Sequence, residues 1–156
     1  MFKRFISLFV MVLLLVNCFS VVSFAEEENE NKIVFLDADG NEIMPCWDYV
    51  STTAINLSFS NGRVYMDANI SGDGTCSYIT ARAQLEKKDS NGNYQVVITY
   101  LDLTSQGTDV PYVLNIHKNR LAEVNDNYRF TVYATVYGKD GGSEPITIQT
   151  TGTYYP

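Results

Sequence analysis

Thr53-Ala-Ile-Asn-Leu-Ser-Phe-Ser-Asn-Gly-Arg-Val-Tyr-Met-Asp-Ala-Asn-Ile-Ser71 decides the fold. Ile55, Leu57 and Phe59 share one face of the first half. Val64, Met66, Ala68 and Ile70 share one face of the second, with Tyr65, Asp67 and Asn69 on the other. A period of two is that of a strand half buried against a core. Between the halves stands Asn61-Gly62, two residues that both accept positive φ and so make the tight turn that suits twisted strands. The segment reads as an antiparallel hairpin with Ser60 opposite Arg63, so that opposed residue numbers sum to 123.

The pattern recurs downstream. Tyr78 to Lys87 places Ile79, Ala81, Ala83 and Leu85 on one face; Asp89-Ser90-Asn91-Gly92-Asn93 turns the chain, and Tyr94 to Leu103 returns. Tyr112 to His117 puts Leu114 and Ile116 inward, and Tyr128 to Tyr137 does the same with Phe130, Val132, Ala134 and Val136. Lys139-Asp140-Gly141-Gly142 leads into a last strand from Ile146 towards Tyr155. Upstream, Lys32 to Asp37 is a short apolar strand that ends in turn chemistry at Ala38-Asp39-Gly40-Asn41. No window keeps a helical period.

The chain is therefore predicted to be all-β: over 32–156, a single immunoglobulin-like (fibronectin type III-like) antiparallel β-sandwich of about seven strands with an N-terminal hairpin extension. Tight hairpins join strands one and two, three and four, and six and seven. Looser connections follow strands two, four and five, so one, two and five should face three, four, six and seven. Within Asp126-Asn127-Tyr128-Arg129-Phe130, a tyrosine two residues before the first buried position resembles the tyrosine corner of such domains.

The amino end says where such a domain would work. Lys3 and Arg4 precede an apolar run from Phe5 to Val16, and Ser23-Phe24-Ala25 offers small residues at a cleavage point before Glu26-Glu27-Glu28. This is the layout of a secretory signal peptide over 1–25, followed by a disordered acidic lead-in over 26–31. A retained anchor is the weaker reading, because Asn17, Ser20 and Ser23 interrupt the run. A lipid attachment at Cys18 is weaker still, because Asn17 precedes it and the apolar run continues beyond. The expected location is secreted, with no stable membrane insertion after cleavage.

Loss of Lys3 and Arg4 leaves nine basic against 18 acidic residues, a formal −9. That field repels nucleic acid and anionic surfaces, so nucleic-acid partners are excluded. With Cys18 gone, Cys46 and Cys76 remain. An even count in an exported chain favours a disulfide, and the hairpin register sets position 46 opposite 77, beside Cys76.

The leader, Trp47-Asp48 ahead of the first long strand, the hairpin Leu85-Glu86-Lys87-Lys88 to Asn93-Tyr94, and the ending from Tyr128-Arg129-Phe130 to Tyr155 are together similar to small secreted proteins of Gram-positive bacteria built as one immunoglobulin-like sandwich. That resemblance implies export and fold, and transfers no catalytic residue.

No catalytic site is expected. His117, the only histidine, falls on the outward set of its strand with no Gly-x-Ser-x-Gly element to serve it. Asp37, Asp39 and Asn41 alternate oxygen ligands in the manner of a calcium loop. Glu42 replaces the glycine such a loop needs, and Pro45 intrudes, so a plain turn is favoured and no cofactor or metal is expected. Asn56-Leu57-Ser58 and Asn69-Ile70-Ser71 match glycosylation acceptors on outward positions; the bacterial source that the resemblance implies makes them chance matches.

The tyrosines say more. Eleven are present, and Tyr78, Tyr133, Tyr137 and Tyr155 are expected on the outer face of the second sheet, near Arg82 and Gln149. Such side chains suit contact with an extracellular protein or glycan. The expected role is a binding module. The alternatives are a carboxylate-dependent hydrolase, for which no insertion supplies a cleft, and a self-associating layer component.

Overall fold

The computed structural model describes residues 33–37, 39–44, 47–105 and 112–155. Eight strands fill most of them: β1 (Val34–Leu36), β2 (Val50–Ser60), β3 (Arg63–Gly72), β4 (Cys76–Lys88), β5 (Tyr94–Thr104), β6 (Val113–Leu121), β7 (Asn127–Gly138) and β8 (Ser143–Thr153). No helix occurs among the described residues. The strands make two antiparallel sheets, β2-β3-β6 and β1-β8-β7-β4-β5, packed over one core in a sandwich-like arrangement. The division expected from the loop lengths is the one found, with β1 added at an edge.

Turn chemistry and alternation explain the first sheet. Asn61 and Gly62 take φ of 50° and 72°, and pairs from Ser60↔Arg63 to Thr52↔Ser71 keep the expected sum before a bulge shifts Val50 onto Gly72. Inward residues of both sheets, among them Leu57, Met66, Ile70, Ile79, Leu85, Phe130 and Val136, merge into one buried cluster. Tyr128 is buried, and its hydroxyl accepts the Glu123 backbone N–H at 2.9 Å, as a tyrosine corner does. Lys87 closes that end through Glu123 (2.8 Å) and Asp126 (2.7 Å).

The amino-terminal strand departs from expectation. Only a rudimentary hairpin forms, through the Leu36↔Glu42 bridge and the Ile43 N–H donating to the Phe35 carbonyl (2.9 Å). The strand itself joins β8, with Val34 opposite Gln149 and Leu36 opposite Thr147. Phe35 supplies the reason: it sits opposite buried Ile148 and meets Trp47 edge-to-face at 5.2 Å, so docking on β8 extends the core. In the turn between, the Asp37 carboxylate accepts N–H groups of Asp39 (2.9 Å) and Asn41 (2.8 Å). Both Asp37 oxygens thus serve the turn, the second accepting from the Asn41 side-chain amide at 3.1 Å.

The expected Cys46–Cys76 bridge needs correction on the Cys76 side. Cys76 is a free, fully buried thiol; Cys46 lies outside the described residues, as do 1–25 and the lead-in 26–31. Packing accounts for the burial, because a methyl at Gly72 would overlap the Cys76 side chain. Burial pushes the thiol pKa up, and the nearby Asp73 carboxylate pushes the same way. Iodoacetamide is therefore expected to spare Cys76 in the native protein and label it after unfolding, read by mass spectrometry. A chain still unlabelled at Cys76 after unfolding without reductant would instead carry the bridge.

Four turn aspartates are held in the ionised form by the turns they close. Asp37 is held below its ordinary 3.8 chiefly by the Asn41 backbone N–H, Asp73 by the Thr75 hydroxyl, Asp89 by the Asn93 N–H and Asp140 by the Gly142 N–H. A carboxylate depressed in the folded state stabilises above its unfolded pKa, and that stabilisation is lost as pH falls through the folded value. The melting temperature should hold from neutral pH to about 5 and fall below about 4. Asp89→Asn, which keeps a carbonyl acceptor but does not titrate, should flatten that fall.

Candidate functional site

The outer face of the five-stranded sheet is an ordered lattice of side chains. Alternation puts Tyr78, Thr80, Arg82, Gln84 and Glu86 outward on β4, and pairing sets them opposite Tyr137, Thr135, Tyr133, Thr131 and Arg129 of β7. Each row continues onto β8, through Ser143, Pro145, Thr147, Gln149 and Thr151. Pro145 is tolerated because β1 pairs only with Thr147 to Gln149, which leaves β8 an edge at the proline.

Three of these rows are locked by side-chain contacts. Tyr78 and Tyr137 stack in parallel with centroids 4.2 Å apart and planes within 10°. The Arg82 guanidinium lies 4.4 Å above the Tyr133 ring, a cation–π contact at an exposed position. Arg129 grips Glu86 with two bonds, Nε to Oε2 at 2.6 Å and Nη2 to Oε1 at 2.7 Å, while its guanidinium covers Tyr94 at 4.1 Å. These contacts leave Glu86 buried on an outward position, and its bidentate bond raises the Arg129 pKa further.

Tyr78, Arg82, Tyr133 and Tyr137 come together as expected, and Gln149 stands one row away, opposite Thr131. Tyr155 does not join them. It follows the last residue of β8 at the opposite end of the face from Tyr78 and Tyr137, because β8 stops at Thr153. Its neighbour Tyr154 is the one tied down, stacked on Phe59 at 5.6 Å with its hydroxyl accepting the Gly62 N–H at 3.0 Å.

Between the Arg82–Tyr133 row and the Tyr78–Tyr137 row runs a row of short side chains: Thr104, Thr80, Thr135 and Pro145. The result is an open trough of about 560 Å³ that reaches Thr147 at one side and the β5 bulge at Leu101 and Asp102 at the other. Asp102 adopts φ 55° there, and Leu101 is 64 % exposed. Sequence reading missed the threonine floor. Its only signal was the register between β4 and β7, two strands nearly fifty residues apart.

Two further concavities exist. On the outer face of the smaller sheet, Asp67 contacts His117 through Oδ1 and Nδ1, and Asn69 donates to Asn115 at 2.7 Å beside a notch of about 280 Å³ at Ala54. Outward placement of His117 was expected; its carboxylate partner was not. At one end of the sandwich, the Tyr49 hydroxyl donates to Asp140 (2.9 Å), and a hollow of about 480 Å³ lies between Asp48, Thr75 and Lys139. Gly138 and Gly142 make room there, since a methyl at the first would overlap the Tyr49 ring and one at the second its hydroxyl. Asp140 raises the Tyr49 pKa through that bond, and its own carboxylate is engaged by the turn. Among the described residues no group of three or more His, Cys, Asp or Glu is placed to hold a metal ion. Comparison with protein-family models and with curated proteins finds no match to this chain.

Proposed function

We propose that the chain is an exported, non-catalytic binding module of fibronectin type III-like build, which meets an extracellular protein or glycan at or near the cell envelope through the outer face of its five-stranded sheet. The leader pattern at Lys3 to Ala25 supports export. The strand order and the Tyr128 hydroxyl bonded to Glu123 support the fold assignment.

One observation carries the functional reading: Tyr78 and Arg82 stay exposed while each is held in a fixed pair with a half-buried tyrosine, Tyr137 and Tyr133. Aromatic anchors fixed before contact lose little entropy on binding, which is where affinity is otherwise spent. A hydrolase would need two free carboxylates facing one cleft; the trough is lined by a single one, Asp102, and in the end hollow that Asp48 and Asp140 share, Asp140 is already bonded to the Tyr49 hydroxyl and the Gly142 N–H. Pairing between copies along β5 is the other rival, favoured by exposed Val96, Val97 and Leu101. The two register shifts of β5 against β4 work against it, since bulges blunt an edge.

The test is capture from envelope extract and culture medium by the immobilised protein. A Tyr78→Ser/Tyr133→Ser/Tyr137→Ser variant should lose the captured component, whereas His117→Ala on the opposite face should keep it. Equal capture by both would remove the face from consideration. Sedimentation of the unmodified protein as a dimer abolished by Leu101→Lys would favour the self-associating alternative.

A further inference from the structure

Resting on that reading of the face, we infer that the trough over Thr80 and Thr135 is a subsite for an uncharged polysaccharide chain lying across the strands. Outward rows along a strand are two residues apart, so the Arg82–Tyr133 row, which walls the trough on one side, stands roughly 7 Å from the threonine row that floors it. Four strands from Thr104 to Pro145 give the trough a length of about 14 Å. That is a slot for one linear chain of several sugar rings.

The chemistry of the floor separates a sugar from a peptide. Thr80 is paired on both sides, with Thr104 and Thr135, and Thr135 likewise with Thr80 and Pro145. The main chain of the floor is therefore committed to the sheet, and an extended peptide would find no ladder to join. Most of its own N–H and C=O groups would go unmet. Threonine hydroxyls, each donor and acceptor at once, match the hydroxyl rim of a saccharide, and the Tyr133 ring and threonine methyls match its C–H faces.

Charge narrows the class further. Arg82 and Asp102 are the charged residues lining the trough, one of each sign. Arg82 is already engaged over Tyr133. Around this neutral slot the whole chain carries a formal −7, a field that disfavours polyanionic chains. An uncharged glycan meets neither obstacle.

Native-gel retardation tests the inference with defined probes: hydroxyethylcellulose, a β-1,3-glucan, glucomannan and galactan as uncharged chains, and polygalacturonate as the polyanion. The expected result is retardation by at least one uncharged chain and none by polygalacturonate. Thr135→Arg, which fills the floor, and Tyr133→Ala, which removes a wall, should each weaken retardation about tenfold or more while melting stays cooperative. Retardation by polygalacturonate alone, or retardation indifferent to both variants, overturns the inference. If no polysaccharide retards the protein but the triple tyrosine variant still abolishes envelope capture, the glycan subsite falls and the binding face stands. If capture is indifferent as well, both fall.

Discussion

Phe130→Ala is expected to destabilise the protein by about 3–5 kcal/mol and to lower the melting temperature by roughly 10–20 °C. Among the described residues Phe130 is the largest side chain with no solvent exposure, placed on β7 opposite Leu85 of β4 and Thr150 of β8. Its removal deletes aromatic area and leaves a void between two sheets whose backbones are held by ladders, so the site has little freedom to collapse. Total stability of a domain this size is of order 5–15 kcal/mol, which makes the loss a large fraction of the whole. Urea titration followed by fluorescence would read it. A loss under 1 kcal/mol would mean that the sheets close the gap and that the core is far softer than its packing implies.

Arg129→Met should be the second large effect, about 2–3 kcal/mol. The variant leaves Glu86 on the inner strand β4 with its side chain only 10 % exposed and without its bidentate partner. The figure stands below that of a fully buried pair because the Arg129 side chain keeps 28 % exposure and water can relieve part of the cost. The penalty belongs to the abandoned carboxylate, so Glu86→Gln/Arg129→Met should recover at least half of it, which thermal or urea unfolding of the three variants would measure. Additive losses would show instead that Arg129 contributes mainly through its contact with Tyr94.

Local patterns made the fold legible. Asn61-Gly62 set one register that holds over nine successive residues of β2, from Ser60 back to Thr52, and loop lengths divided the strands between sheets correctly. What failed were features decided by distant partners. Val96-Val97-Ile98 and Leu101-Asp102-Leu103 read as uninterrupted strand, and only pairing with β4 shows the shifts there. Alternation continued past Thr153 placed Tyr155 on a face where β8 no longer runs, whereas Phe59 and Gly62 had claimed Tyr154. Beside the short hairpin at Leu36 and Glu42, Phe35 also docks β1 onto β8 opposite Ile148, a pairing that local pattern did not announce. The same holds for the candidate site. Its four main side chains could be assigned to one face from alternation alone. The contacts that pair Tyr78 with Tyr137 and Arg82 with Tyr133, and the threonine floor between, follow from β4 lying beside β7.

The three-residue hold of β1 on β8 carries a dynamic corollary. So short a strip can peel away at a small fraction of the global unfolding free energy, and the amides beneath it should exchange with deuterium sooner than those between β7 and β8. Each such excursion would bare the flank of β8 from Thr147 to Gln149, the place where seeding of intermolecular aggregates would begin in concentrated solution.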